Sequence, residues 1–217
     1  MDECITHLDE FTRDKWGNRM LKKLLYVVLI VFVVVAGAWV GYQKFRPHVF
    51  HGMVVKSQPA PDFELTGAGG RRVHLHDFQG KVVLLYFGYT FCPDVCPTTM
   101  RDLAQAMKIL GPQKARQVQV IMISVDPLRD TPDRVDEYVH HFDPHFIGLT
   151  GTEKEIAQVA TLYGIYYHKH EGTAATGYIV DHTATVTVVD QKGYIRLLFT
   201  FGTTPEQIAD DLAYMLR

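Results

Sequence analysis

The chain has 217 residues, enough for one ordinary domain with a tail or for two very small domains. Its formal charge of -2 and pI near 6.6 argue against the basic face of a nucleic-acid binder. Apolar residues make up 47% and charged residues 21%, so composition names no function.

Residues 24–43, LLYVVLIVFVVVAGAWVGYQ, carry no charge. At about 1.5 Å rise per residue, roughly 20 residues cross a bilayer core of about 30 Å. Trp39 and Tyr42 stand at the end where aromatic rings favour the headgroup zone. Arg13, Lys15, Arg19, Lys22 and Lys23 precede the segment, against Lys44 and Arg46 just after it. The basic excess predicts a cytoplasmic N-terminus over residues 1–23 and a main domain outside. Ala36-Gly37-Ala38 resembles a signal-peptide cleavage site, but apolar residues continue past it, which favours an anchor. Asp2, Glu3, Asp9, Glu10 and Asp14 count against a mitochondrial presequence and point to a bacterial inner membrane. Cys4 reads as a spare thiol in a reducing cytoplasm.

Residues 44–57 read as a linker, and the globular part is expected over 58–217. Pro59 and Pro61 stiffen an extended entry. Thr66 to Gly70 is a turn, with Arg71 to Leu75 returning as a strand. Lys81 to Tyr89, KVVLLYFGY, predicts a strand buried on both faces. A helix over Thr98 to Leu110 stops at Gly111-Pro112, and Gln117 to Val125 is the next strand. Thr131-Pro132 opens a helix to about Phe142, and Phe146 to Leu149 is a short strand. Thr152 with Glu155 forms a capping box for a helix to Leu162. Tyr163 to His170 reads as a strand and Glu171 to Gly177 as a loop. Ala184 to Val189 and Tyr194 to Phe201 pair as a hairpin, and Thr204-Pro205 opens the last helix. This order predicts an α/β fold, a thioredoxin-like three-layer sandwich behind an N-terminal transmembrane helix.

Cys92-Pro-Asp-Val-Cys96-Pro97 follows the buried strand directly. Proline lacks an N–H and fits a first helical turn, so Pro97 is expected to start the helix, with Cys96 near its cap. Both sulfurs then lie by free backbone N–H groups, which lower thiol pKa. The spacing is wider than the C-x-x-C of disulfide oxidoreductases. It suits a metal held by soft thiolates, such as Cu(I), Zn(II) or an iron–sulfur cluster, and it also permits a structural disulfide.

Eleven histidines are present, and most are expected to be solvated or capping. These include His74, His76, His140, His141, His168 and His170. His182 differs by position, just before the late hairpin, where a thioredoxin-like fold faces its dithiol. No proline stands between Pro144 and Pro205, so the cis-proline of thiol oxidoreductases has no counterpart. Asp181 either orients the His182 ring or bonds turn backbone. Asp94 and Met100 are weaker ligand candidates, with a solvated loop and the core as their ordinary roles.

Together the segments GYTFCPDVCPTTM (88–100), SVDPLRDTP (124–132) and YIVDHTATVTVVD (178–190) resemble the Sco/SenC family of copper-delivery proteins. The resemblance implies that Cys92, Cys96 and His182 hold one copper, as Cu(I) or Cu(II). It implies delivery to a cytochrome c oxidase subunit carrying a copper site, without enzymatic turnover. The alternative it leaves is a thiol–disulfide oxidoreductase in which Cys92 and Cys96 are the redox pair. Asp126, Asp130 and Thr131 fall in a family motif, but a turn and a helix cap account for them. The oligomeric state is left open.

Overall fold

The computed structural model describes residues 3–45, 47–171 and 177–217. The chain divides into two compact units, Met1–Val49 and Phe50–Arg217. The first unit is one helix, α1 (Glu3–Phe45), longer than the expected span. Within it, Lys22–Tyr42 is long and apolar enough to cross a membrane: 21 residues of mean hydropathy 2.7. The side chains of Cys4 and of the acidic residues near it lie outside the described residues.

The second unit is built on a six-stranded sheet in the order β1-β10-β9-β4-β5-β6. Its members are β1 (Met53–Pro59), β4 (Val82–Gly88), β5 (Val118–Ser124), β6 (Ile147–Leu149), β9 (Val186–Val189) and β10 (Tyr194–Phe199). The strands β4, β5 and β6 run parallel, and β9 and β10 return antiparallel as the predicted hairpin. Every residue of β4 and β5 is buried, as two-faced apolar runs require. A small hairpin, β2 (Glu64–Thr66) with β3 (Arg72–His74), is bridged to the sheet by Thr66 and Thr150. The helices are α2 (Val95–Ala115), α3 (Pro132–His140), α4 (Glu153–Leu162) and α5 (Pro205–Met215).

Alternation along β4 shows the layers. Gly88 and Tyr86 turn to the face of α2, where a Cβ on Gly88 would meet Cys96 Sγ at 3.0 Å. Phe87 turns the other way, to Tyr163 at the C-cap of α4, with ring centroids 5.9 Å apart. The result is the expected thioredoxin-like α/β sandwich.

Three expectations need correction. The segment read as linker up to Ser57 contains β1, which pairs with β10 from Met53 onward. That strand is an exposed edge, so it lacks the apolar alternation that marks a strand in a sequence. Helix α2 begins at Val95, with Asp94 at the N-cap, two residues before Pro97. Pro97 is tolerated there because the first N–H needing an intrahelical partner is that of Thr98, which bonds Asp94 O at 3.1 Å. Finally, Asp181 does not sit in a turn: Tyr178 to His182 is strand β8, paired with β7 (Tyr167–Glu171). The expected Glu171–Gly177 loop has residues 172–176 outside the described residues.

Candidate metal centre

Strand β4 delivers the chain to the dithiol loop, where the Cys92 amide closes a turn on Tyr89 O at 3.3 Å. The side chain of Asp94 makes no capping bond. The Cys92 sulfur takes part of that role, accepting the Cys96 amide at 3.4 Å. Cys96 is buried and Cys92 half-exposed. Only glycine at position 88 lets the helix come this close to the strand. A Cβ there would also press on Tyr86 at 2.8 Å.

His182 ends β8. Its Nε2 lies 3.5 Å from Cys96 Sγ and 3.3 Å from the Tyr86 hydroxyl. Its Nδ1 lies 3.3 Å from Val180 O. A proton on Nδ1 would satisfy that carbonyl and leave the Nε2 lone pair facing the thiol. The rings of Tyr86 and Tyr89 meet the imidazole edge-on, at 6.2 Å and 5.7 Å. Tyr89 also holds β8 directly, its hydroxyl accepting the Val180 amide at 3.3 Å. Cys96 touches both of the other candidate residues: its sulfur faces His182 Nε2 and its amide faces the Cys92 sulfur. Cys96 is the shared neighbour, and Cys92 stands off on its loop.

Electrostatics separates the two thiols. The Cys96 thiol hydrogen bond, then the Cys96 and Asp94 amides, hold Cys92 down to about 5 against the opposing effect of burial. The Cys92 thiolate and burial push Cys96 far up. The pair is thus a half-exposed low-pKa thiol beside a buried high-pKa one.

The segment from Ser124 to Thr131 does more than turn and cap. Asp130 is 1% exposed. It accepts the Thr90 amide at 2.9 Å, the Thr90 hydroxyl at 2.6 Å and the Ser124 hydroxyl at 2.6 Å. Asp126, also buried, accepts the Tyr178 hydroxyl at 2.6 Å and the Arg129 guanidinium. Arg129 donates to Tyr178 O at 3.0 Å and lies 3.6 Å over the Tyr178 ring. Thr90 is two residues before Cys92, and Tyr178 opens the strand that ends at His182. The two carboxylates therefore tie both halves of the site to one loop.

Thr131 caps α3 as expected, accepting the Arg134 amide. Asp181 does not orient His182: it lies on the other face of the strand, exposed, 3.4 Å from His170 Nδ1. Nor does it bond turn backbone, because it lies within a strand. The Val180 carbonyl takes the orienting place. Asp94 is exposed and Met100 is core. His140 pairs with Asp136 at 3.3 Å. Tyr86, Tyr89 and Tyr178 went unnoticed in the sequence. A phenol inside an apolar strand is the available signal, because a buried tyrosine hydroxyl needs a partner.

The sequence profile described as SCO1/SenC matches residues 53–217. The mitochondrial SCO2 homologue of Bos taurus is 34% identical over 201 residues, covering 88% of this chain and 74% of that protein. The solution structure of apo Sco1 from Thermus thermophilus superimposes with a TM-score of 0.70 at 41% identity, covering 77% of this chain and 98% of that one. The structure of Bradyrhizobium japonicum ScoI with copper bound gives a TM-score of 0.66 at 40% identity, covering 73% of this chain and 99% of that one. This chain belongs to the SCO1/SenC family.

Proposed function

We propose that this chain is a membrane-tethered copper carrier that binds one copper through Cys92, Cys96 and His182 and delivers it to a cytochrome c oxidase during assembly. The observation that carries the reading is His182 Nε2 at 3.5 Å from Cys96 Sγ. Ligand atoms about 2.0 Å (nitrogen) and about 2.3 Å (sulfur) from one ion in a trigonal plane stand roughly 3.7 Å apart. The buried pair therefore already has the spacing of two ligands, and a rotation of the half-exposed Cys92 completes the set. Soft thiolates and an imidazole suit copper, and a copper-bound relative at 40% identity supports the choice. Two thiolates with Cu(I) sum to a net charge of about -1, which the N-terminus of α2 favours. Uptake displaces the proton of Cys96, because metal binds the thiolate form.

Residues 24–43 form the anchor, with 1–23 cytoplasmic and the copper-binding unit on the outer side of a bacterial inner membrane. The basic residues before the apolar run and the Lys22–Tyr42 span support that topology. The copper acceptor is the oxidase subunit that carries a copper site.

One observation favours a second role. A half-exposed low-pKa thiol beside a buried high-pKa one is the asymmetry of an attacking and a resolving cysteine. Cys92 could attack an acceptor disulfide, and Cys96 then displace it, reducing the acceptor and leaving this chain oxidised. The two roles separate when copper-loaded full chain in detergent is mixed with the metal-free copper domain of the oxidase, its cysteines reduced. Delivery predicts that copper moves to the acceptor. Copper that stays put while a disulfide form of the acceptor is reduced would leave only the oxidoreductase reading.

A further inference from the structure

Away from the dithiol, a second set of ligand atoms converges. Asp62, His74 and His76 each offer one, and all lie within 4.8 Å of one another. Asp62 precedes β2, His74 ends β3, and His76 lies in the short 3-10 turn Leu75–Phe78. The two histidines thus sit on either side of the junction between the strand and the turn.

Local bonds fix the arrangement. His76 Nδ1 is 2.6 Å from Asp62 Oδ2, and the His76 amide donates to Asp62 Oδ1 at 3.2 Å. The His74 amide donates to Asp77 Oδ2 at 2.8 Å. The two imidazoles stack with centroids 4.7 Å apart and planes 26° apart. An Asp–His pair alone would need no second imidazole; the stack supplies one. Asp62 and His76 are exposed, so an ion can enter from solvent. Asp77 adds negative charge, its Oδ1 3.9 Å from His76 Nε2. Asp62 and His76 also border a cavity lined by Lys81, Asp190 and Lys192.

We propose that Asp62, His74 and His76 form a second metal site, which takes a divalent late first-row ion, with Cu(II) bound most tightly. Two borderline imidazoles with a hard carboxylate match Cu(II) and Zn(II) rather than Cu(I), and affinity at such sites peaks at Cu(II). Asp62 and His76 share a cavity with Lys81 and Val83, at the start of β4, whereas Cys92 follows its end. The seven residues of β4, six steps of about 3.3 Å, make the strand roughly 20 Å long, so groups at its two ends do not share an ion. The chain thereby offers thiolates to the reduced form of a metal at one end of β4 and nitrogen–oxygen ligands to the oxidised form at the other.

The test uses the full chain in detergent with Cys92→Ser and Cys96→Ser, so that copper uptake does not depend on the dithiol. Cu(II) is titrated against excess glycine and followed by electron paramagnetic resonance. The expected result is one tightly held Cu(II) with hyperfine splitting from two nitrogens. Adding His74→Ala with His76→Ala should weaken it more than 10-fold, and Asp62→Asn alone should weaken it while the fold stays intact by circular dichroism. Unchanged affinity and splitting in the His74/His76 variant would place the ion on other histidines and overturn the assignment. No tight Cu(II) in the parent would overturn it as well. Neither result bears on Cys92, Cys96 and His182.

Discussion

Replacing His182 with alanine is expected to lower copper affinity by more than about 100-fold while leaving Cys92 and Cys96 able to form a disulfide. Loss of a group that merely orients a ligand typically costs about 10–100-fold, so loss of the ligand itself should exceed that. The ring is held on several sides: Val180 O at Nδ1, the Tyr86 hydroxyl at Nε2 and the edges of Tyr86 and Tyr89. No small side chain can recover that position. The cysteines lie on the loop and first turn before α2, with Cys92 bonded to the Cys96 amide, so their approach does not depend on β8. Competition against a chelator of known affinity, with thiol counting before and after mild oxidation, checks both halves. Affinity within about threefold of the parent would remove His182 from the ligand set.

The second large effect falls on Asp130, which is not a proposed ligand. Asp130→Ala should cost about 3–5 kcal/mol of stability, because the buried Ser124 hydroxyl and the part-buried Thr90 amide and hydroxyl all lose their acceptor. For a unit of this size that lowers the melting temperature by about 10 °C. The same change frees Thr90, two residues before Cys92, so copper affinity should fall with stability even though no ligand is touched. Thermal unfolding by circular dichroism, paired with copper competition at a temperature where the variant is folded, measures both. A melting temperature within about 2 °C of the parent would show that the carboxylate is not a structural tie.

Features governed by near neighbours in the chain were readable from the sequence. The β4 run, the Thr-Pro caps at 131 and 204 and the Thr152–Glu155 box all formed as expected. So did the placing of the dithiol between a buried strand and a helix start. What could not be read depends on distant partners. The edge strand β1 exists because β10 lies beside it, and β8 because β7 does. Asp126 and Asp130 look like turn residues until Tyr178 and Thr90 are found donating to them. Asp181 and His182 are adjacent in sequence yet point to opposite faces, a separation that becomes visible only once their segment is known to be a strand.

The copper K-edge X-ray absorption of the reduced full chain, loaded with one equivalent of Cu(I), tests the ligand set most directly. The account predicts a first shell of two sulfurs at about 2.3 Å and one imidazole nitrogen at about 2.0 Å, with the nitrogen shell lost in His182→Ala. A sulfur-only shell that the substitution leaves unchanged, or a nitrogen–oxygen shell without sulfur, would contradict it.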